Sequence, residues 1–221
     1  MNIALIVFAG KGSRINSKIP KQFIKIKDID LVVYTIKKFN ENPHIDEIIL
    51  VTSKEFIPYV ECFKKKYELE KIVKVIEGGN SRQESVRLAL ESIDYDKDDN
   101  ILIHDGDRPL VSHAIINTAI DFLSEYQSSC PYIPKSEELK EVSNSGRNII
   151  LENKEVAIQT PQCFKFGLIK EAHLNKKDLE VNDDISLINA DLVKFYLGDK
   201  YNFKVTTDND LEYLKVVLES L

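Results

Sequence analysis

The chain has 221 residues, 43% of them hydrophobic, and a formal net charge of −6. That length suffices for one α/β core, and we expect a single domain spanning residues 1–221. The net negative charge argues against a nucleic-acid binder, because phosphate backbones bind to basic protein surfaces. No apolar run approaches the ~20 residues of a membrane span, so we expect a cytoplasmic protein with no membrane partner.

Apolar strands alternate with helices along the first half of the chain. The predicted strands are Ile3–Phe8, Glu47–Val51, Val73–Ile76 and Asn100–Ile103. The predicted helices are Leu31–Phe39, Tyr59–Tyr67, Glu84–Ser92 and Ala114–Tyr126. This order predicts an α/β fold with a doubly wound, mostly parallel sheet.

The alternation stops between Pro131 and Gln159. A charged run and the turn residues Ser143-Asn144-Ser145-Gly146 fill this stretch, with short strands predicted at Ile149–Leu151 and Val156–Ile158. We therefore predict a hairpin arm at about residues 135–157 that leaves the sheet. Beyond it, the predicted elements are a helix at Phe166–Leu174, a short helix after Asp183, strands at Leu192–Tyr196 and Phe203–Val205, and a final helix at Asp208–Leu221.

Glycines and cations follow the first strand directly. The loop consists of Ala9, Gly10, Lys11, Gly12, Ser13 and Arg14, and Lys21 adds a second cation. Glycines let backbone N–H groups turn toward an anion, and the Arg14 guanidinium is a planar, permanently charged phosphate ligand. The loop is neither a Walker loop nor a dinucleotide fingerprint. It suits a triphosphate, and a plain turn with solvated charges remains the alternative.

Three later segments also carry polar groups next to predicted strands. The first contains Gly79, Asn80 and Ser85, which could contact a flat nucleotide base, although the same segment can equally serve as a helix cap. The second, which begins at His104, contains Asp105, Gly106, Asp107 and Arg108. The third contains Lys204, which taken alone is typical of a surface lysine.

The carboxylates of the second segment suggest a cation site. Asp105 is a hard oxygen ligand suited to Mg²⁺. Asp107 is either a second ligand or a partner of Arg108. His104 is more typical of a packed histidine than of a metal ligand.

In their joint order and spacing, these segments resemble the family of 2-C-methyl-D-erythritol 4-phosphate and ribitol-5-phosphate cytidylyltransferases over nearly the whole chain. The segments that carry the resemblance are Ala9–Arg14, Pro20–Phe23, Gly78–Gly79, Arg82, Ser85–Val86, His104–Asp105, Arg108–Pro109, Thr160–Gln162 and Lys204–Thr206. The resemblance implies a Rossmann-like nucleotidyltransferase fold and an enzyme that moves CMP from CTP to a small polyol phosphate, releasing pyrophosphate. It also implies Mg²⁺ or another divalent cation, and a homodimer whose arm reaches the partner's active site.

The resemblance also assigns roles to individual residues. The catalytic residues that it implies are Arg14, Lys21 and Lys204. The nucleotide-binding residues that it implies are Ala9, Gly10, Lys11, Gly12, Ser13, Arg14, Lys21, Gly79, Asn80, Ser85, Asp105 and Gly106. The acceptor-binding residues that it implies are Arg108, Thr160, Asp183 and Lys204, and Asp105 is the implied metal ligand.

Departures from the family pattern bear on the acceptor. Glu138 and Glu152 align with a neutral donor and a cation that face the acceptor phosphate in the methylerythritol enzymes. Because carboxylates repel a phosphate, we expect a ribitol- or glycerol-type phosphate that feeds a capsule or teichoic-acid-like polymer. The alternatives are a methylerythritol phosphate cytidylyltransferase of isoprenoid synthesis, a nucleotide-sugar pyrophosphorylase using another nucleotide, and a non-catalytic nucleotide-binding regulatory protein.

Overall fold

The computed structural model describes residues 1–10, 15, 17, 19–134, 140–142, 148–150, 156–176 and 181–220. The strands are β1 (Asn2–Val7), β2 (Lys25–Ile26), β3 (Ile29–Asp30), β4 (Glu47–Thr52), β5 (Ile72–Glu77), β6 (Asn100–Asp105), β7 (Ser128–Pro134), β8 (Lys140–Val142), β9 (Asn148–Ile150), β10 (Val156–Ile158), β11 (Gln162–Lys165) and β12 (Val193–Leu197). The helices are α1 (Leu31–Asn40), α2 (Ile57–Lys66), α3 (Arg82–Glu91), α4 (His113–Asp121), α5 (Phe166–Asn175) and α6 (Asp208–Ser220). No helix in these ranges is both long and apolar enough to cross a membrane.

The main sheet has the strand order β10-β7-β11-β6-β1-β4-β5, and β12 pairs with β7. Strands β6, β1, β4 and β5 are parallel to their neighbours among these four. Strand β11 runs antiparallel between β6 and β7. The predicted α/β fold with a mostly parallel sheet is therefore confirmed.

Helices cover both faces of the sheet, which explains the uninterrupted apolar run of β1. Ala4 and Ile6 pack in one hydrophobic cluster with residues of α1, α2 and α4. Ile3, Leu5 and Val7 pack in a second cluster with residues of α3 and α5. A strand buried on both faces has no polar side to show in the sequence.

Two of the predicted elements differ from the structure. Phe203–Val205 is not a strand. One backbone hydrogen bond, from the Val205 nitrogen to the Asp107 carbonyl oxygen (2.9 Å), takes the place of a strand ladder there, and Val205 is buried. The predicted helix Ala114–Tyr126 ends at Asp121 and continues as a 3₁₀ turn at Phe122–Ser124.

The region of the predicted arm divides between two sheets. Strand β7 was not predicted as part of the main sheet, because its two prolines disfavour a paired strand. Pro131 nevertheless accepts a bond from the Gln159 nitrogen (2.7 Å), and β10 pairs with the end of β7. Strands β8 and β9 pair only with each other within the described ranges.

Candidate active site

A cleft of about 890 Å³ opens at the carboxyl edge of the parallel strands β1, β4, β5 and β6. Ligands of open α/β sheets gather at this edge, and the volume is typical of small-molecule sites, roughly 300–1,000 Å³. The predicted site residues that line the cleft are Ala9, Gly10, Lys21, Gly79, Asn80, Ser85, Asp105 and Lys204. The structure therefore brings together residues that are far apart in the sequence.

The start of the glycine loop is held by a buried glutamine. Gln22 Nε2 donates to the carbonyl oxygens of Phe8 and Gly10, both at 2.9 Å. Gln22 was not predicted as a site residue, although it lies in the Pro20–Phe23 segment that marks the family. Residues 11–14 lie outside the described ranges, so the roles of Lys11, Gly12, Ser13 and Arg14 stay predictions.

The loop after β5 approaches the first loop very closely. A Cβ atom at Gly78 would lie 2.5 Å from the Cβ of Ala9 and 2.8 Å from Ser85 Oγ. Only glycine fits this distance without a shift of the backbone. The Gly79 nitrogen donates to Ser85 Oγ (3.0 Å), which in turn donates to the Ser81 carbonyl (2.7 Å). Ser85 therefore shapes the loop that lines the cleft.

The same loop also caps α3, as the alternative interpretation of this segment predicts, and its contact with a base stays a prediction. The Ser81 side chain accepts a bond from the Glu84 nitrogen (3.0 Å). Glu84 Oε2 accepts from the Asn80 nitrogen (2.7 Å). This reciprocal capping fixes the loop without using the side chain of Asn80.

Asp105 is surrounded by three cations. Its Oδ1 accepts from Arg82 Nε (2.8 Å), and its Oδ2 contacts Lys204 Nζ (3.0 Å) and Arg108 Nε (3.5 Å). Burial alone would raise the pKa of Asp105, but Arg82, Lys204 and Arg108 outweigh it and hold this pKa well below its ordinary value. The carboxylate is therefore ionised at neutral pH.

Arg82 links Asp105 to a second buried carboxylate. Arg82 Nη1 donates to Asp184 Oδ2 (2.8 Å), and the other oxygen of Asp184 contacts His173 Nε2 (3.0 Å). Neither Arg82 nor Asp184 was predicted as a site residue. Arg82 was noted only as one of the residues that carry the family resemblance. The neighbouring Asp183, predicted to bind the acceptor, accepts bonds from the nitrogen (3.0 Å) and hydroxyl (2.9 Å) of Ser186.

Two lysines share two carboxylates at the base of the cleft. Lys21 Nζ lies 2.5 Å from Asp107 Oδ2 and also donates to the Val205 carbonyl (2.7 Å). Lys204 Nζ, which contacts Asp105, lies 3.9 Å from Asp107 Oδ1. Asp107 therefore pairs with Lys21, and not with Arg108 as one of our two expectations had it.

Three other predicted residues, Gly106, Arg108 and Thr160, make hydrogen bonds that hold the chain around Asp105 in place. The Gly106 nitrogen donates to the Val7 carbonyl (3.0 Å), and Arg108 Nη1 donates to the Asn202 carbonyl (2.8 Å). The buried Thr160 Oγ1 accepts from the Asp105 nitrogen (3.1 Å). These contacts fix the end of β6, and the predicted ligand contacts of the three residues stay predictions.

His104 is a packed residue. It is fully buried, its ring lies 4.9 Å from that of Phe39, and its Nδ1 is 3.1 Å from Thr160 Oγ1. Burial lowers the pKa of His104 to about 3, so the imidazole is neutral at pH 7.

The carboxylates fit a divalent cation that binds together with phosphates. The described residues contain no cluster of three metal-ligating side chains. However, Asp107 Oδ1 is buried and has no hydrogen-bond partner in the described part of the chain. Mg²⁺ is usually held by one or two carboxylates plus substrate phosphates, and Asp105 and Asp107 would be those two carboxylates.

Comparisons with known proteins agree on one family. The family model of 2-C-methyl-D-erythritol 4-phosphate cytidylyltransferase matches residues 2–220. A 2-C-methyl-D-erythritol 4-phosphate cytidylyltransferase of Clostridium novyi is 40% identical, over 100% of this chain and 97% of its own. One from Clostridium perfringens (strain SM101) is 41% identical, over 95% of both chains.

Solved structures agree as well. The 4-diphosphocytidyl-2C-methyl-D-erythritol synthase of Anaerococcus prevotii superposes with a TM-score of 0.85 at 25% identity, over 99% of this chain and 96% of its own. The 2-C-methyl-D-erythritol 4-phosphate cytidylyltransferase of Thermus thermophilus gives 0.79 at 25% identity, over 100% of both chains.

The expected ribitol- or glycerol-type acceptor, with its capsule or teichoic-acid product, is wrong, because the matching model and relatives carry the methylerythritol name. That expectation rested on the alignment of Glu138 and Glu152 within the arm. Both residues lie outside the described ranges, and a one-residue slip in a turn-rich hairpin changes which side chains face a ligand. By family model and full-length identity, the chain belongs to the 2-C-methyl-D-erythritol 4-phosphate cytidylyltransferases, which are CTP-dependent nucleotidyltransferases.

Proposed function

We propose that the chain transfers CMP from CTP to 2-C-methyl-D-erythritol 4-phosphate and releases pyrophosphate. The observation that carries this proposal is the convergence of Lys21 and Lys204 on Asp105 and Asp107 at the base of the cleft. The names of the matching family and relatives support methylerythritol phosphate as the acceptor.

The reaction brings two anions together. An oxygen of the acceptor phosphate attacks the α-phosphorus of CTP and forms a new O–P bond. The bond from the α-phosphorus to the bridging oxygen breaks, and pyrophosphate leaves with that oxygen. The chemistry needs no protein nucleophile, so positioning and charge stabilisation carry the catalysis.

Lys21 and Lys204 supply positive charge where the transition state is most negative. Contacts within the empty cleft already place both ammonium groups there, Lys21 on the Val205 carbonyl and Lys204 on Asp105. Lys21 reaches the phosphates by exchanging Asp107 for a phosphate oxygen. Asp105 and Asp107 would hold Mg²⁺ or another divalent cation, which when bound neutralises phosphate charge.

The loop at residues 78–85 is the proposed cytosine site. Gly78 lets this loop pack closely against Ala9, so Gly79 and Asn80 line the cleft beside the first loop, and the side chain of Asn80 is not used in the capping of α3. Arg14 is the proposed third cation at the triphosphate. We propose that Thr160 and Arg108 act by holding Asp105 in place.

The proposal is tested by measuring pyrophosphate release with Mg²⁺, each of the four nucleoside triphosphates and three acceptors. The acceptors are methylerythritol, ribitol and glycerol phosphates. We expect CTP with methylerythritol phosphate to give the highest kcat/KM, by at least ~10-fold, since an unpaired buried polar group costs about 1–3 kcal/mol. A higher kcat/KM with ribitol or glycerol phosphate, or with another nucleotide, would reject the proposal.

We also propose a single domain with an arm at about residues 135–157 that reaches a partner subunit. The pairing of β8 with β9, apart from the main sheet, supports a protruding hairpin. Light scattering should give twice the chain mass of 25.3 kDa.

Deleting residues 136–154 spares β10 and should give a monomer that binds CTP without turnover. A full-length chain that is monomeric at micromolar concentration would contradict this assembly.

A further inference from the structure

We propose that Asp107 makes CTP binding depend on the divalent cation. Its carboxylate holds Lys21 in an ion pair when the cleft is empty, and nucleotide binds tightly only when a cation takes over that carboxylate. The inference rests on the proposed function in so far as the ligand is CTP.

The Lys21–Asp107 pair is well formed and largely shielded from water. The two charged atoms lie 2.5 Å apart, and each side chain is only 12% exposed. Ion pairs shielded in this way interact more strongly than surface pairs, because the local dielectric is lower. A phosphate that binds Lys21 must therefore first break a favourable contact.

Lys204 is also paired with carboxylates, although its side chain is more exposed, at 33%. Its ammonium lies 3.0 Å from Asp105 Oδ2 and 3.9 Å from Asp107 Oδ1. The two lysines proposed to meet the triphosphate are thus matched by two carboxylates. A metal-free triphosphate approaching this group meets no net positive charge from these four side chains.

A divalent cation would resolve the competition. Asp107 Oδ1 is buried and has no hydrogen-bond partner within the described ranges, so it can accept a cation without losing an existing bond. A carboxylate engaged by a divalent cation attracts the lysine less, which frees Lys21 for phosphate. Linkage between two ligands is reciprocal. The factor by which the cation raises the affinity for CTP therefore equals the factor by which CTP raises the affinity for the cation.

The test is the dissociation constant of CTP, measured by titration calorimetry in EDTA and in Mg²⁺ without an acceptor. The proteins compared are the wild type, Asp107→Asn and Glu77→Gln. Glu77 lines the same cleft and is an exposed partner of Lys54 at 3.9 Å, so its variant removes one charge without touching Lys21.

We expect Asp107→Asn to bind CTP in EDTA at least ~10-fold more tightly than the wild type, about 1.4 kcal/mol. The gain in affinity on adding Mg²⁺ should shrink by the same factor or more. Glu77→Gln should change the affinity in EDTA by less than ~3-fold, because exposed charges are screened by salt.

Three outcomes would overturn the inference. One is equal affinity of the wild type and Asp107→Asn in EDTA, and another is equal tightening by Glu77→Gln. The third is weaker binding by Asp107→Asn in both conditions, as expected if Asp107 only braces the loop. Asp107→Ala serves as a second variant with the same expected direction should the asparagine variant fold poorly.

Tripolyphosphate separates this inference from the proposed function. It carries the triphosphate charge without cytidine, so the same pattern is expected with it. If tripolyphosphate shows the pattern but CTP does not bind the wild type even with Mg²⁺, the cytidylyl transfer is rejected and the role of Asp107 stands.

Discussion

Replacing Lys21 with alanine is expected to lower kcat by about 10²–10³-fold, the scale on which one preorganised electrostatic donor contributes to catalysis. Its ammonium lies at the base of the cleft, between Asp107 and the Val205 carbonyl. No described cation replaces it there, since Lys204 Nζ is 3.9 Å from the nearer oxygen of Asp107 and is bound to Asp105. Steady-state kinetics with saturating CTP and acceptor measure the effect on kcat separately from KM.

Lys25 provides a matched control on the adjacent strand β2. It is exposed, so Lys25→Ala should keep kcat within about twofold of the wild type. Circular dichroism and thermal unfolding show whether the Lys21 variant retains its fold, as a substitution in a short 3₁₀ turn should allow. A folded Lys21→Ala protein with near-normal kcat would remove Lys21 from the catalytic group.

Local sequence patterns could predict the loops of the site because their chemistry is local. A glycine-rich turn directly after a strand places Ala9 and Gly10 at the edge of the sheet, whatever the rest of the chain does. The same argument places Asp105 at the end of β6. The carboxyl ends of parallel strands meet at one edge, so these loops had to be neighbours.

The ion pairs between distant segments could not be predicted in this way. Arg82 and Asp184 are 102 residues apart, and their contact depends on how the chain after α5 returns to the sheet. Strand β7 was not predicted, because its identity as a strand also depends on distant parts of the chain. Its prolines disfavour a strand locally, but pairing with β12 and β11 outweighs that local preference.

Replacing Arg82 with methionine is expected to lower the free energy of unfolding at pH 7 by about 3–5 kcal/mol, because it leaves the buried Asp184 carboxylate without its arginine and removes one of the three cations around Asp105. The side chain of Asp184 is 1% exposed and that of Asp105 is 9% exposed. Methionine keeps most of the aliphatic stem, so the loss reports chiefly on the charge. Urea unfolding measures it, and a fall in Tm of roughly 10 °C should accompany it in a chain of this size.

Arg87, on the same helix α3, is the control. It contacts Glu91 at 2.9 Å and Glu84 at 3.8 Å, but these carboxylates are 32% and 35% exposed. Surface pairs contribute about 0–1 kcal/mol, so Arg87→Met should cost less than about 1 kcal/mol. If the two variants lose the same free energy of unfolding, the burial of the partner carboxylates does not determine the size of the loss.

The loss caused by Arg82→Met should also depend on pH. Burial would raise the pKa of Asp184, but Arg82 and His173 outweigh it and lower this pKa below its ordinary value. In the wild type, the stabilisation by this carboxylate is therefore present above the unfolded pKa, about 3.9, and is lost as the pH falls through the folded pKa. Without Arg82, burial is opposed chiefly by His173, so the pKa of Asp184 rises relative to the wild type, and the loss of stability shrinks as the pH falls through the pKa of the variant. The difference between the two proteins should be largest at pH 7 and smaller at about pH 4.5, whereas a constant difference would assign the loss to packing rather than to charge.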